Sequence, residues 1–149
     1  MKIANAMLTD YVRDLGASAR RPRTVFISRA RADIRFARPL EALLKTSQLR
    51  LIFDEVAPPS DRTIQSVIKD AIEAADLIIV LWSRAYAASK YCFDELDMAL
   101  QRHQAGAVRL WILNLDNSDL VPPRARGFPS LAADSPEAVV EMVRKLLDG

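Results

Sequence analysis

Between Asp76 and Ser83 the sequence runs Leu77-Ile78-Ile79-Val80-Leu81-Trp82, six apolar residues without a charge. A strand with one wet face alternates polar and apolar side chains. An unbroken apolar run fits a strand covered on both faces, as in the interior of a parallel sheet. Such strands carry their chemistry at the carboxyl end, where the next loop leads into a helix. Here those positions are Ser83, Ser89 and Glu95.

The rest of the chain supplies partners for that strand. Thr24–Ser28 is rich in β-branched and aromatic residues and predicts the first strand; Leu49–Phe53 predicts the second. Val108–Leu115 reads as the fourth and Phe128–Leu131 as a short fifth. Helical stripes lie between them. Asp33–Thr46 carries Ile34, Phe36, Ala37, Leu40, Leu43 and Leu44, with Pro39 implying a late start or a kink. Ile64–Ala75 turns Ile64, Val67, Ile68, Ala71 and Ile72 to one side, and the helix from Ser89 to about Gln104 turns Phe93, Leu96, Ala99 and Leu100 inward, with Gly106 as its stop. Ser135–Leu147 begins with Ser135 as cap, Pro136 at the first helical position and Glu137 in the first turn. Met1–Leu15 predicts an appended packing helix, followed by a basic linker. Residues 1–23 are therefore set apart from a domain over 24–149.

Alternating strands and helices make an α/β chain, an open parallel five-stranded sheet with helices on both faces. Right-handed crossovers favour the flavodoxin-like order 2-1-3-4-5 at this length. In that order the first and third strands are neighbours whose following helices leave to opposite faces. The crevice between them would be lined by Ser28, Arg29 and Ala30 on one side and Ser83 on the other, with the helix start at Ser89–Glu95 beside it.

Composition removes several classes of chemistry. One cysteine, Cys92, excludes an internal disulfide and a cysteine-based zinc site, and the single His103 excludes a histidine metal cluster. Four glycines and no glycine-rich phosphate loop argue against Rossmann-type dinucleotide binding. No apolar stretch approaches the roughly 18 residues that cross a bilayer, and no secretory leader is visible, so the expected place is the cytoplasm. The net charge is +2, but eight arginines between Arg13 and Arg38 face only Asp14 and Asp33, whereas Ser66–Leu100 is net acidic. No aromatic interleaving accompanies the arginines, so nucleic acid is not an expected partner. Asp54-Glu55 with Asp33 suggests a phospho-accepting pocket, which fails because Ser28-Arg29 and Ser83 stand where its acidic residues would be needed. Trp82 and Trp111 read as core; Tyr86 and Tyr91 fit either core or a stacking surface.

The remaining candidate is Glu95. A carboxylate near a helix start is favoured in its ionised form, and at a crevice it can hydrogen-bond ribose hydroxyls and stabilise positive charge developing on a sugar carbon. Glycosidic cleavage ordinarily needs a second carboxyl group as acid. A leaving group that is already a pyridinium, as in NAD, needs none. From spacing alone, a solvent-facing or ion-paired Glu on an amphipathic helix is the simpler account.

Several motifs in register then resemble one family. Val25-Phe26-Ile27-Ser28 with Asp33 and Phe36, Phe53-Asp54 followed by Pro58-Pro59 and Ile64, and the block Ala71–Ser83 with Tyr86, Ser89 and Tyr91-Cys92-Phe93-Asp94-Glu95-Leu96 are similar to the TIR (Toll/interleukin-1 receptor) domain, in its bacterial single-domain type. The resemblance implies a flavodoxin-like fold and one of two functions. The first is an NAD nucleosidase or cyclase that cleaves the nicotinamide–ribose bond and makes an ADP-ribose-type signal in anti-phage defence. NAD is then substrate and no cofactor is needed. Glu95 would be catalytic, and Ser28, Arg29, Asp54, Ser83 and Tyr91 would bind substrate. Tyr91 stands where the family's enzymes usually carry Trp, and Pro58-Pro59 stiffens a loop that often contains glycine. The second is a non-catalytic interaction module. Both imply self-association through TIR–TIR contacts; the enzyme adds a separate effector protein reached by a diffusible nucleotide. Little chain lies outside the domain, so no attached sensor or effector module is expected.

Overall fold

The computed structural model describes residues 22–52, 64–120 and 128–148. Its elements are β1 (Thr24–Ser28), a 3₁₀ turn (Arg31–Asp33), α1 (Ile34–Thr46), β2 (Arg50–Ile52), α2 (Ile64–Ala74), β3 (Leu77–Trp82), the short α3 (Arg84–Ala87), α4 (Lys90–Gln104), β4 (Arg109–Asn114), β5 (Leu131–Ala132) and α5 (Pro136–Asp148). The five strands are parallel in the order β2-β1-β3-β4-β5. This is the flavodoxin-like order expected from the sequence. The appended helix of Met1–Leu15, Asp54 and the Pro58-Pro59 loop lie outside the described residues. Among the described residues no helix is long and apolar enough to cross a membrane.

All six residues of β3 are buried because both faces are covered. Their side chains alternate between two core layers. Leu77, Ile79 and Leu81 join Val25, Ile27, Trp111 and Leu113 under α1 and α5. Ile78, Val80 and Trp82 join Phe26, Leu110 and Ile112 under α2, α3 and α4. At the amino ends, Asp76 ties β1 to β3: its Oδ2 accepts from the backbone N–H groups of Arg23 at 3.1 Å and Thr24 at 3.2 Å. That contact lies at the opposite end of the sheet from the crevice.

Four local readings differ from the sequence expectation. The fifth strand is Leu131–Ala132, paired only with Leu113 and Asn114. Phe128 is not in it, and its ring instead meets the edge of His103, centroids 5.3 Å apart. Residues after Ser83, expected as a turn, form α3, whose end Ser83 caps by accepting the N–H of Tyr86 at 3.1 Å. On α4 Leu96, Ala99 and Leu100 are buried as expected, but Phe93 is only half-buried, and Cys92 and Glu95 complete the buried stripe. α1 begins at Ile34 and not after Pro39, so the late start is not seen; within the helix the proline's missing N–H leaves the carbonyl of Arg35 without the helical donor.

The C-termini of α1 and α4 use the same closure with different residues. After α4, Ala107 N–H reaches Arg102 O and Gly106 N–H reaches His103 O, both at 2.9 Å. After α1, Leu49 N–H reaches Leu44 O at 3.1 Å and Gln48 N–H reaches Lys45 O at 3.2 Å. This paired pattern requires a left-handed residue just past the cap, and Gly106 (φ 73°) and Gln48 (φ 63°) provide it. Glycine adopts that conformation without penalty, whereas a side chain costs about 1–2 kcal/mol. A Cβ on Gly106 would meet nothing within 4 Å, so only backbone strain is at stake. Gly106→Ala is expected to destabilise by about 1 kcal/mol, and Gln48→Gly to stabilise by about 0.5–1 kcal/mol once glycine's greater unfolded-state freedom is subtracted. Urea unfolding of both variants checks the pair; the same sign for both would refute the account.

Candidate active site

Ser28 closes β1, two residues after Phe26 and therefore on the same side of the sheet, the side covered by α2, α3 and α4. Its Cα is paired with Val80 in β3. The Ser28 hydroxyl thus enters a layer that is otherwise apolar. It donates to Glu95 Oε2 in a short hydrogen bond. Ser28 Oγ also lies 2.7 Å from the Tyr86 hydroxyl. Glu95 comes from the inward stripe of α4, one turn beyond Cys92, and is only 4% exposed. A carboxylate taken that far from water requires hydrogen-bonding partners, and the end of β1 supplies one. The alternative of a solvent-facing glutamate is thereby removed.

Tyr86 itself is fully buried. Its ring is tilted 46° against Trp82 with centroids 5.4 Å apart. Of the two readings the sequence left open, core or a stacking surface, this burial supports core, with a polar tip that reaches Ser28. On the other side of the crevice, Ser83 Oγ donates to Asp33 Oδ2 at 2.5 Å while accepting the Tyr86 N–H. The loop after β1 and the loop after β3 are therefore joined by one hydroxyl. Arg29 is buried; its Nη1 donates to Ala30 O at 3.4 Å, and its carbonyl accepts from Cys92 Sγ at 3.5 Å. Ser89 caps α4, its Oγ accepting the Cys92 N–H at 3.3 Å.

The structure thus brings Ser28 and Glu95 into contact, with Arg29 and Ser83 at the same end of the sheet. Tyr91 sits one turn before Glu95 but is 51% exposed, whereas Glu95 is buried. Asp54 is among the residues not described. Sequence reasoning did not assign roles to Tyr86 and Asp33. The signal for Tyr86 was its place three residues after a helix-capping serine, which folds its ring back over the end of β3. Among the described residues no group of three His, Cys, Asp or Glu side chains is placed to hold a metal ion.

A family model for the TIR domain matches residues 25–146, most of the chain. The chain belongs to the TIR domain family. Among curated proteins no sequence match is found. Solved structures do match in fold. The TIR domain of the Toll-related receptor TRR-2 from Hydra magnipapillata is 18% identical with a TM-score of 0.66, covering 83% of this chain and 94% of its own. The TIR domains of the activated Roq1 resistosome, which directly recognises the pathogen effector XopQ, are 20% identical with a TM-score of 0.55, covering 82% of this chain and 84% of that one. The Clostridium botulinum CMP N-glycosidase BcmB is 14% identical with a TM-score of 0.60, covering 83% of this chain and 98% of its own.

In this TIR domain, α3 carries Tyr86 and is held at its start by Asp116. Asp116 Oδ2 accepts the Arg84 N–H at 2.8 Å, and its Oδ1 accepts the Ser118 hydroxyl at 2.6 Å and N–H at 3.2 Å. Partial burial pushes the Asp116 carboxyl up. The hydrogen bonds from Arg84 and Ser118, with the Arg84 charge, outweigh that and hold it below the ordinary carboxylate value. A lowered folded-state value stabilises the fold above the unfolded value, near 3.9, and that contribution is lost as pH falls through the folded one. Because the side chain is largely exposed, the effect is small. Melting curves are expected to show wild type losing its advantage over Asp116→Asn below about pH 4, with a constant difference above pH 5. A constant difference at all pH values would refute the charge argument.

Proposed function

We propose that this TIR domain is a cytoplasmic enzyme that cleaves the nicotinamide–ribose bond of NAD, by hydrolysis or cyclisation, with Glu95 as the catalytic carboxylate. The observation that carries this reading is the Glu95 carboxylate held at the carboxyl ends of β1 and β3 by the Ser28 hydroxyl, where parallel sheets receive ligands. Departure of nicotinamide from a pyridinium leaves positive charge on the ribose carbon and neutralises the leaving group. One carboxylate is then sufficient, because its task is to oppose the developing oxocarbenium charge. Arg29 and Ser83 lie at the same end of the sheet and would hold phosphate and ribose. Tyr91, exposed one turn before Glu95, would bound the entrance. The shared fold with an enzyme named as an N-glycosidase gives independent support for sugar–base cleavage on this scaffold. The product would be an ADP-ribose-type nucleotide acting in anti-phage defence through a separate effector protein.

A second reading follows from the low exposure of Glu95, which suits a buried structural carboxylate in a TIR domain that only binds other TIR domains. Incubation of purified protein with NAD, dilute and concentrated, with and without a crowding agent, separates the two. The enzyme releases nicotinamide, more per molecule as concentration rises if self-association completes the site. Mass spectrometry of the other product distinguishes ADP-ribose from a cyclic form. No nicotinamide at any concentration would leave the interaction module.

A further inference from the structure

We propose that Tyr86 is a positioning residue for Glu95, acting through Ser28; the functional part of this assignment rests on the reading of Glu95 as the carboxylate that faces the sugar. The three groups form a chain: Tyr86 hydroxyl to Ser28 Oγ at 2.7 Å, and Ser28 Oγ to Glu95 Oε2, each group from a different element. Tyr86 comes from α3, Ser28 from β1 and Glu95 from α4, so the chain fastens the helix to the end of the sheet.

The direction of the chain follows from the proposed role of Glu95, which requires its carboxylate to be ionised. An ionised carboxylate only accepts hydrogen bonds, and a serine hydroxyl has a single proton. Ser28 therefore spends its proton on Glu95 and can take part in a second bond only as acceptor. The tyrosine proton fills that role. With the Tyr86 proton on its oxygen, the Ser28 hydroxyl cannot rotate toward other acceptors without breaking both bonds, and each bond polarises the next. Ser28 is then engaged with Glu95 instead of with substrate, a different assignment from that suggested by its place on the crevice. The result is a carboxylate whose orientation is set before substrate arrives. Preset orientation lowers the barrier for the charge that develops in the transition state and contributes little to ground-state binding.

Tyr86→Phe keeps the ring against Trp82 and removes one oxygen. Its expected effect is a loss of about tenfold in kcat for nicotinamide release with KM within about twofold. Ser28→Ala is expected to lose more, and Ser28→Thr, which restores a hydroxyl, to recover most of that loss. A second measurement does not depend on turnover. In urea unfolding, Tyr86→Phe and Glu95→Leu are expected to be non-additive by about fivefold in the unfolding constant, and that coupling is expected to vanish in a Ser28→Ala background. Coupling of this kind supports the relay even if wild type releases no nicotinamide, an outcome that overturns the NAD reading of the site and not the relay. Additive stabilities, coupling that survives Ser28→Ala, or wild-type kcat in Tyr86→Phe would each overturn the relay.

Discussion

Glu95→Gln is expected to lower kcat/KM for nicotinamide release from NAD by about 10³-fold or more while leaving the fold intact. Gln has nearly the shape of Glu, and its amide oxygen can still accept the Ser28 hydroxyl. The packing of α4 and the contact to β1 are therefore preserved, and the substitution subtracts the charge. Losing one oriented hydrogen-bond donor in an oxyanion site costs about 10²–10³ in rate. A full charge facing an oxocarbenium-like carbon in a poorly solvated crevice is worth at least as much. Stability should stay within about 1 kcal/mol of wild type, since a hydrogen bond to a charged acceptor becomes one to a neutral acceptor. Nicotinamide release and a thermal melt on the same sample check both halves. Wild-type turnover in a folded Glu95→Gln protein would remove Glu95 from the mechanism. A Gln variant that fails to fold would instead assign the carboxylate to the core.

The parts of this structure that were legible in the sequence are those written in uninterrupted local patterns. Leu77–Trp82 has no polar residue on either face, so its burial and its central place in a parallel sheet follow directly. Ser135, Pro136 and Glu137 spell out a helix start, and Ser135 Oγ accepts the Ala138 N–H at 3.1 Å. Short elements were not legible. β5 has two residues and α3 four, too few for a period to show. On α4 the inward Leu96, Ala99 and Leu100 were legible, but Phe93, the more hydrophobic choice, is only half-buried, and burial of Glu95 is favoured once the Ser28 hydroxyl stands ready for it. Cross-chain pairs were the least visible. Ser28 and Glu95 are 67 residues apart and Asp33 and Ser83 are 50 apart. Topology brings each pair to the crevice, but which hydroxyl meets which carboxylate depends on strand alternation. Phe26 and Ser28 face the α4 side, while Leu81 and Ser83 face the α1 side. Gln48 in a left-handed conformation has no signal in composition, because hydrogen bonds around it impose the geometry.

That division of the sheet into two faces sets up a stability experiment in which fold and site respond separately. Trp82 and Trp111 are both fully buried, one in each core layer, and among the described residues the indole N–H of neither has a hydrogen-bond partner. Replacing either by Ala deletes a large side chain that its neighbours cannot fully replace, costing about 3–5 kcal/mol. For a domain of ordinary stability that is a large share of the roughly 5–15 kcal/mol holding it folded. Phe is expected to be much milder at both positions, about 1 kcal/mol, because lost volume is partly offset by removing a buried, unpaired donor. The two positions should part in their effect on the site. The Trp82 ring supports Tyr86, so Trp82→Ala lets the phenol move and weakens its hold on Ser28 and hence on Glu95. Trp111 faces α1 and α5, in the core layer on the opposite side of the sheet from Tyr86. At a temperature low enough for both Ala variants to remain folded, kcat for nicotinamide release should fall about tenfold or more in Trp82→Ala and by less than about twofold in Trp111→Ala. Urea unfolding supplies the stability half and initial rates supply the other. Equal losses of kcat at the two positions would mean that the tyrosine relay does not transmit packing to the carboxylate.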